Sequence, residues 1–95
     1  MAQFTIRVEL HGATPKDYEN LHTSMSSNGF EKTIYSSEGV RYKLPEAEYV
    51  FSSQSLDIES VLNKAKSVAE KIQTFPSVIV TESAGRMWVG LKKST

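Results

Sequence analysis

Apolar and polar positions alternate at the start of this chain. Phe4, Ile6, Val8 and Leu10 are interleaved with Thr5, Arg7, Glu9 and His11, the period-two pattern of a strand with one face in a core. Gly12 and Ala13 end it. The stretch "TPKD" then has the marks of a helix start. Thr14 serves as N-cap, Pro15 takes the first helical position, and Asp17 sits in the first turn, where negative charge meets the positive end of the aligned peptide dipoles. Tyr18, Leu21 and Met25 follow at helical spacing, and Asn28 or Gly29 supplies the left-handed stop. A second strand is expected from Phe30 to Tyr35. Val40, Tyr42 and Leu44 alternate again, so residues 34–42 form either one strand bent near Gly39 or a small hairpin. After Pro45 and the acidic turn "EAE", the run "YVFSS" reads as another short strand.

The most regular pattern lies further on. Ile58, Val61, Leu62, Ala65, Val68, Ala69 and Ile72 fall on one continuous face of an α-helix over residues 56–73, with Ser55 or Asp57 as its cap. "SVIVTE" is too uniformly apolar to alternate, which predicts a central strand covered on both faces. "SAGR" turns the chain, and "MWVGL" is expected as a last short strand. The resulting β-α-β-β-α-β order predicts a ferredoxin-like α+β sandwich. It would be a single domain over residues 1–95, an antiparallel sheet with two helices on one face, plus the short C-terminal strand. The other sheet face is left for water, a ligand or a second subunit.

Composition narrows the function classes. With 39% hydrophobic and 23% charged residues, the chain has the make-up of an ordinary soluble globule. Its formal net charge is zero, which removes long-range attraction to nucleic acid by the molecule as a whole and leaves only a local basic patch to provide it. It has no cysteine, hence no disulfide, thiolate nucleophile or cysteine-held zinc. "MAQFTIRVEL" lacks the basic start and apolar run of a signal peptide, and no apolar stretch approaches the ~20 residues of a membrane span. These features predict a cytoplasmic protein with no membrane association, no cofactor and no metal.

Both histidines lie in "HGATPKDYENLH". His11 has odd parity and should face away from the helices, whereas His22 rides on the first helix beside Leu21. The two are therefore expected on opposite sides of the sheet, unable to share a proton, which leaves one histidine to act alone as general base or phosphate contact, with His22 the catalytic candidate. The serines at 26, 27, 36 and 37 belong to turns, and nothing sets them against a histidine and a carboxylate. Glu46 and Glu48 share a turn and are expected to point the same way in a solvated acidic loop. Arg41 and Lys43, two apart on a strand, share a face. Together with Arg7, Arg86 and the Lys92–Lys93 pair, and with Tyr35, Tyr42 and Trp88, they supply the cations and stacking rings that bind single-stranded nucleic acid. Trp88 also reads as a packing or dimer anchor, and a homodimer is expected through the open sheet face or the "MWVGL" strand.

The middle of the chain, "MSSNGFEKTIYSSEGVRYKLPEAEYVFSSQSLDIESVL", resembles the GhoS family of small ferredoxin-like type V antitoxins. The likeness rests on the Asn-Gly-Phe helix junction, on Gly39, Val40 and Leu44 in the strand region, and on the "SL" that opens the second helix. The resemblance implies an RNA-directed toxin–antitoxin regulator and an endoribonuclease acting on single-stranded messenger RNA. Aligned on Phe30, Asn20 and His22 stand where that family has the arginines implicated in cleavage. The fold is also similar to that of a small CRISPR-associated adaptor nuclease, which holds metal through an aspartate at the end of its first strand. Here that region reads "VELHG", with Glu9 and His11. The alternative function is a non-enzymatic, dimeric protein-interaction module.

Overall fold

The alternation of β1 (Ala2–Glu9) decides both faces of the structure. Phe4, Ile6 and Val8, followed by Leu10, are buried, while Gln3, Arg7 and Glu9 are exposed. The computed structural model describes residues 1–94. After β1 come α1 (Pro15–Ser27), β2 (Thr33–Tyr35), β3 (Arg41–Lys43), β4 (Glu48–Ser53), α2 (Ile58–Glu70) and β5 (Ser77–Glu82). β1 is the middle of an antiparallel three-stranded sheet ordered β4-β1-β5, and β2 pairs with β3 in a small antiparallel sheet of its own. The buried residues of β1 meet Leu21 and Met25 of α1 and Val61, Ala65, Val68 and Ala69 of α2 in one core, so both helices cover the same sheet face. The architecture is α+β. No described helix is long and apolar enough to cross a membrane.

Local chemistry sets the helix ends. Thr14 and Asp17 form a capping box, in which the Asp17 N–H donates to Thr14 Oγ1 at 3.2 Å and the Thr14 N–H donates to Asp17 Oδ2 at 3.0 Å. At the other end of α1, Asn28 is the C-cap and Gly29 takes the left-handed conformation at φ 87°. The Phe30 N–H then donates to the Met25 carbonyl at 3.0 Å and the Gly29 N–H to that of Ser26 at 3.1 Å. This closure turns Phe30 into the core, where it is fully buried. Asp57 caps α2 by accepting from the Ser60 N–H at 2.9 Å, and that hydrogen bond holds its carboxyl below the usual aspartate range.

Three expectations are corrected or resolved by the tertiary structure. β5 is an edge strand rather than a central one, because it pairs only with β1. Val78 and Val80 pack against the core, while Ile79 stays 62% exposed on the other face. Its apolar run is an alternating strand with one isoleucine the core does not take. The segment "MWVGL" forms no strand; Met87 and Val89 are 98% and 94% exposed. The ladder forms a little later, where the Lys43 N–H donates to the Lys92 carbonyl and the Ser94 N–H to that of Arg41, so the tail lies along β3. Residues 34–42 are a hairpin and not a bent strand: Ile34 faces Tyr42, and Gly39 turns the chain at φ 81°.

Adjacent β1 positions should therefore respond oppositely to truncation. Ile6→Ala is expected to cost about 2–5 kcal/mol in denaturant unfolding, and Arg7→Ala to stay within about 0.5 kcal/mol. The Asp57 cap makes a pH prediction. A carboxyl held low in the folded state stabilises it above the ordinary aspartate pKa of about 3.9, and that stabilisation is lost as pH falls through the depressed folded value. The gap in melting temperature between wild type and Asp57→Ala should be full at neutral pH and close in strong acid.

Candidate functional site

The open sheet face carries a groove of about 1220 Å³. Its floor includes Gln3 of β1 with Val50 and Ser52 of β4. One wall is the β2–β3 hairpin with Tyr35, Arg41 and Tyr42, and the other is the segment from Glu82 to Trp88 that follows β5. Tyr42 and Trp88 meet edge to face at 5.7 Å and 60°, which holds the two walls together at one end. Trp88 thus packs inside its own chain.

Arg86 reaches across this floor. Its Nε donates to Thr5 Oγ1 at 3.0 Å, Nη1 to Gln3 Oε1 at 2.9 Å and Nη2 to the Phe4 carbonyl at 3.0 Å. All three acceptors are neutral. A guanidinium has five N–H donors, so two are left over. Burial lowers the Arg86 pKa, opposed by the charge of Glu48. Among the described residues no carboxylate lies within ion-pair distance of Arg86, Arg41, Lys43, Lys92 or Lys93. The pairing of the tail with β3 sets Lys92 and Lys93 beside Arg41 and Lys43, all of them exposed. Glu31 and Glu82 also line the groove, so its charge is mixed.

Of the six cations expected to bind nucleic acid, the structure brings Arg41 and Arg86 into the groove. Lys43 lies on the same short strand as Arg41 but outside the lining. Arg7 faces a smaller pocket of about 470 Å³ and is paired with Glu48 at 3.8 Å, directly opposite it across β1 and β4. Glu46 and Glu48 do not point together. Ala47 between them takes a left-handed φ of 62°, which breaks the alternation. Glu48 meets Arg7 on the open face, and Glu46 meets His22 on the helix side.

His22 is held at both ring nitrogens. Nδ1 is 2.5 Å from the Tyr49 hydroxyl and Nε2 is 2.6 Å from Glu46 Oε1. A carboxylate only accepts, so the ring donates from Nε2 to Glu46, and its Nδ1 meets the Tyr49 hydroxyl. Tyr49 is fully buried and pairs opposite Ile6 under the helices, with the Lys32 ammonium 5.3 Å from its ring centre. Burial, then Glu46 and Tyr18, push the Tyr49 phenol well above the usual tyrosine range. Burial lowers the Lys32 pKa, with Glu46 and Glu48 acting against it, and its ammonium donates to the Pro45 carbonyl at 2.6 Å.

His11 instead contacts Ser77 Oγ at 3.0 Å, and Ser77 pairs with Glu9 on the open-face parity. The histidines therefore occupy opposite sides of the sheet, as the parity argument requires. Tyr49 and Lys32 were missed by sequence reasoning. The signal was a tyrosine at a core-parity strand position, since a buried phenol needs a partner. No group of three or more histidine, cysteine, aspartate or glutamate side chains suited to a metal occurs among the described residues.

Tyr49→Phe deletes the phenol and leaves His22 Nδ1 without its partner, at an expected cost of about 1–3 kcal/mol in chemical unfolding. Glu46→Gln changes only an exposed partner and should stay within about 0.5 kcal/mol. Because the phenol is held neutral, its stabilisation is complete below the ordinary tyrosine pKa of about 10 and declines as pH rises above it. The Tyr49→Phe difference should shrink in alkali. Comparison of the chain with protein-family models, with curated proteins and with solved structures finds no match.

Proposed function

We propose that this protein is an antitoxin-like RNA-binding regulator that takes single-stranded RNA into the groove on its open sheet face. One observation carries the reading. Arg86 is fixed by neutral acceptors with donors to spare, at the floor of a groove that Arg41, Tyr42 and Trp88 also line. Such a site offers a phosphate an unpaired, partly desolvated cation and offers bases aromatic faces to stack on. The exposed cations of β3 and the tail add positive charge beside the groove, whose own lining is mixed. This local arrangement supplies an attraction that a net charge of zero does not.

In this reading the sheet is ferredoxin-like with a reduced fourth strand. The isolated Glu31–Val50 bridge, next to the β2–β3 hairpin, supports an order β5-β1-β4-β2. RNA cleavage is a separate question from binding. His22, the candidate catalytic residue, lies on the helix side with both ring nitrogens engaged, across the sheet from the groove. Binding by the groove does not require it.

Fluorescence anisotropy with a labelled single-stranded RNA tests the proposal. Affinity should fall with salt at a log–log slope of about −0.7 for each phosphate neutralised. Arg86→Ala and Arg41→Ala should each weaken binding and flatten that slope. Trp88→Ala should cost about 1–3 kcal/mol, and His22→Ala should bind as wild type does. An absence of salt-sensitive binding at low ionic strength rejects the reading, and a protein partner recovered after nuclease treatment would favour the protein-interaction module instead. Incubating the same RNA with wild type, His22→Ala and Arg41→Ala, with and without EDTA, tests cleavage. A nuclease using His22 predicts loss of cleavage in His22→Ala while binding persists.

A further inference from the structure

The outer edge of β5 is an open hydrogen-bonding ladder. The Ser83 N–H donates to the Gln3 carbonyl at 2.7 Å, which fixes the phase of the β1–β5 ladder. Residues 77, 79 and 81 therefore turn their peptide groups toward β1, and Val78, Val80 and Glu82 turn theirs outward. No described strand takes them. The other edges are treated differently: Val50 of β4 exchanges two 2.9 Å hydrogen bonds with Glu31, and β3 is met by the tail. Within Ser77–Glu82 there is no proline or lysine to blunt the edge, and Ile79 is 62% exposed.

We propose that β5 pairs antiparallel with β5 of a second copy of this chain, about a two-fold axis at Val80. The occupant follows from the self-complementarity of the edge. In this register Val80 opposes Val80, and Val78 opposes Glu82. All three outward N–H groups and all three outward carbonyls then find a partner. No like charges face one another. On the open face Ile79 lies opposite Thr81, a favourable β-branched pair. Centring the axis on Ile79 instead sets Glu82 against Pro76, which has no N–H, and leaves the Glu82 carbonyl unpaired. The axis is normal to the sheet, so both helical layers fall on one side and both grooves open on the other. This surface is distinct from Trp88, which packs within its own chain, and it does not depend on what the groove binds.

Sedimentation equilibrium of the full chain should give twice the chain mass at high concentration, with dissociation on dilution. The double variant Ile79→Lys/Thr81→Lys sets lysine against lysine across the axis and should be monomeric. Ile79→Lys/Thr81→Glu sets unlike charges opposite each other in the proposed register and should remain dimeric. Both positions are exposed in the single chain, and circular dichroism checks that each variant is folded. Hydrogen exchange on the wild type gives an independent readout: the Val78, Val80 and Glu82 amides should gain protection with concentration. A monomeric wild type, a dimer that survives the lysine pair, two monomeric double variants, or amide exchange independent of concentration would each overturn the proposal.

Discussion

The burial of one side of β1 is the constraint from which the rest of the molecule follows. Phe4, Ile6, Val8 and Leu10 are almost wholly withdrawn from water beneath α1 and α2. A strand alternates its side chains with a period of two, so committing the even positions to the core commits the odd ones to the opposite face. Gln3 and Thr5 thereby become the anchors of Arg86, Arg7 meets Glu48, and Glu9 faces the Ser77 that holds His11. The same phase governs the peptide groups. The even residues of β1 bond toward β4 and the odd ones toward β5, which leaves the outer edge of β5 open.

The two faces carry different chemistry because they have different access to water. Under the helices, Glu46, His22 and Tyr49 form a closed chain of hydrogen bonds whose inner member is fully buried. That chain ties α1 to the turn before β4, and it satisfies a phenol that would otherwise be stranded in the core. On the open face, the groove combines a guanidinium held by neutral acceptors with aromatic rings. The groove with its guanidinium and the histidine cluster thus lie on opposite faces, with the sheet between them.

Charge explains why only part of the expected basic surface is available. Arg7 stands directly opposite Glu48 in the ladder, and the pair partly neutralises itself. Arg86 comes from a turn and crosses two strand positions to reach neutral acceptors, so no described carboxylate pairs with it. Lys92 and Lys93 join the surface through main-chain pairing of the tail with β3, a contact their own side chains do not encode.

Much of the fold was legible in local patterns. The parity of β1, the Thr14–Asp17 box, the Gly29 stop and the apolar stripe of α2 all act over a few residues, and each appears where its chemistry is satisfied. Long-range pairing was not legible. An apolar run such as "SVIVTE" fits a central strand or an edge equally well until its neighbours are known, and "MWVGL" has strand composition but joins no ladder. The meeting of His22 with Tyr49, the divergence of Glu46 from Glu48 at Ala47, and the gathering of Arg41, Arg86 and Trp88 around one groove join residues far apart in the chain. The sequence by itself determined the core-facing side of β1 and of both helices and the caps at which those helices begin, because those depend on periodicity and capping within a turn or two. Tertiary structure alone decided which strands are neighbours, which charges are cancelled and which edge stays open, because those depend on contacts that exist only once the chain has closed on itself.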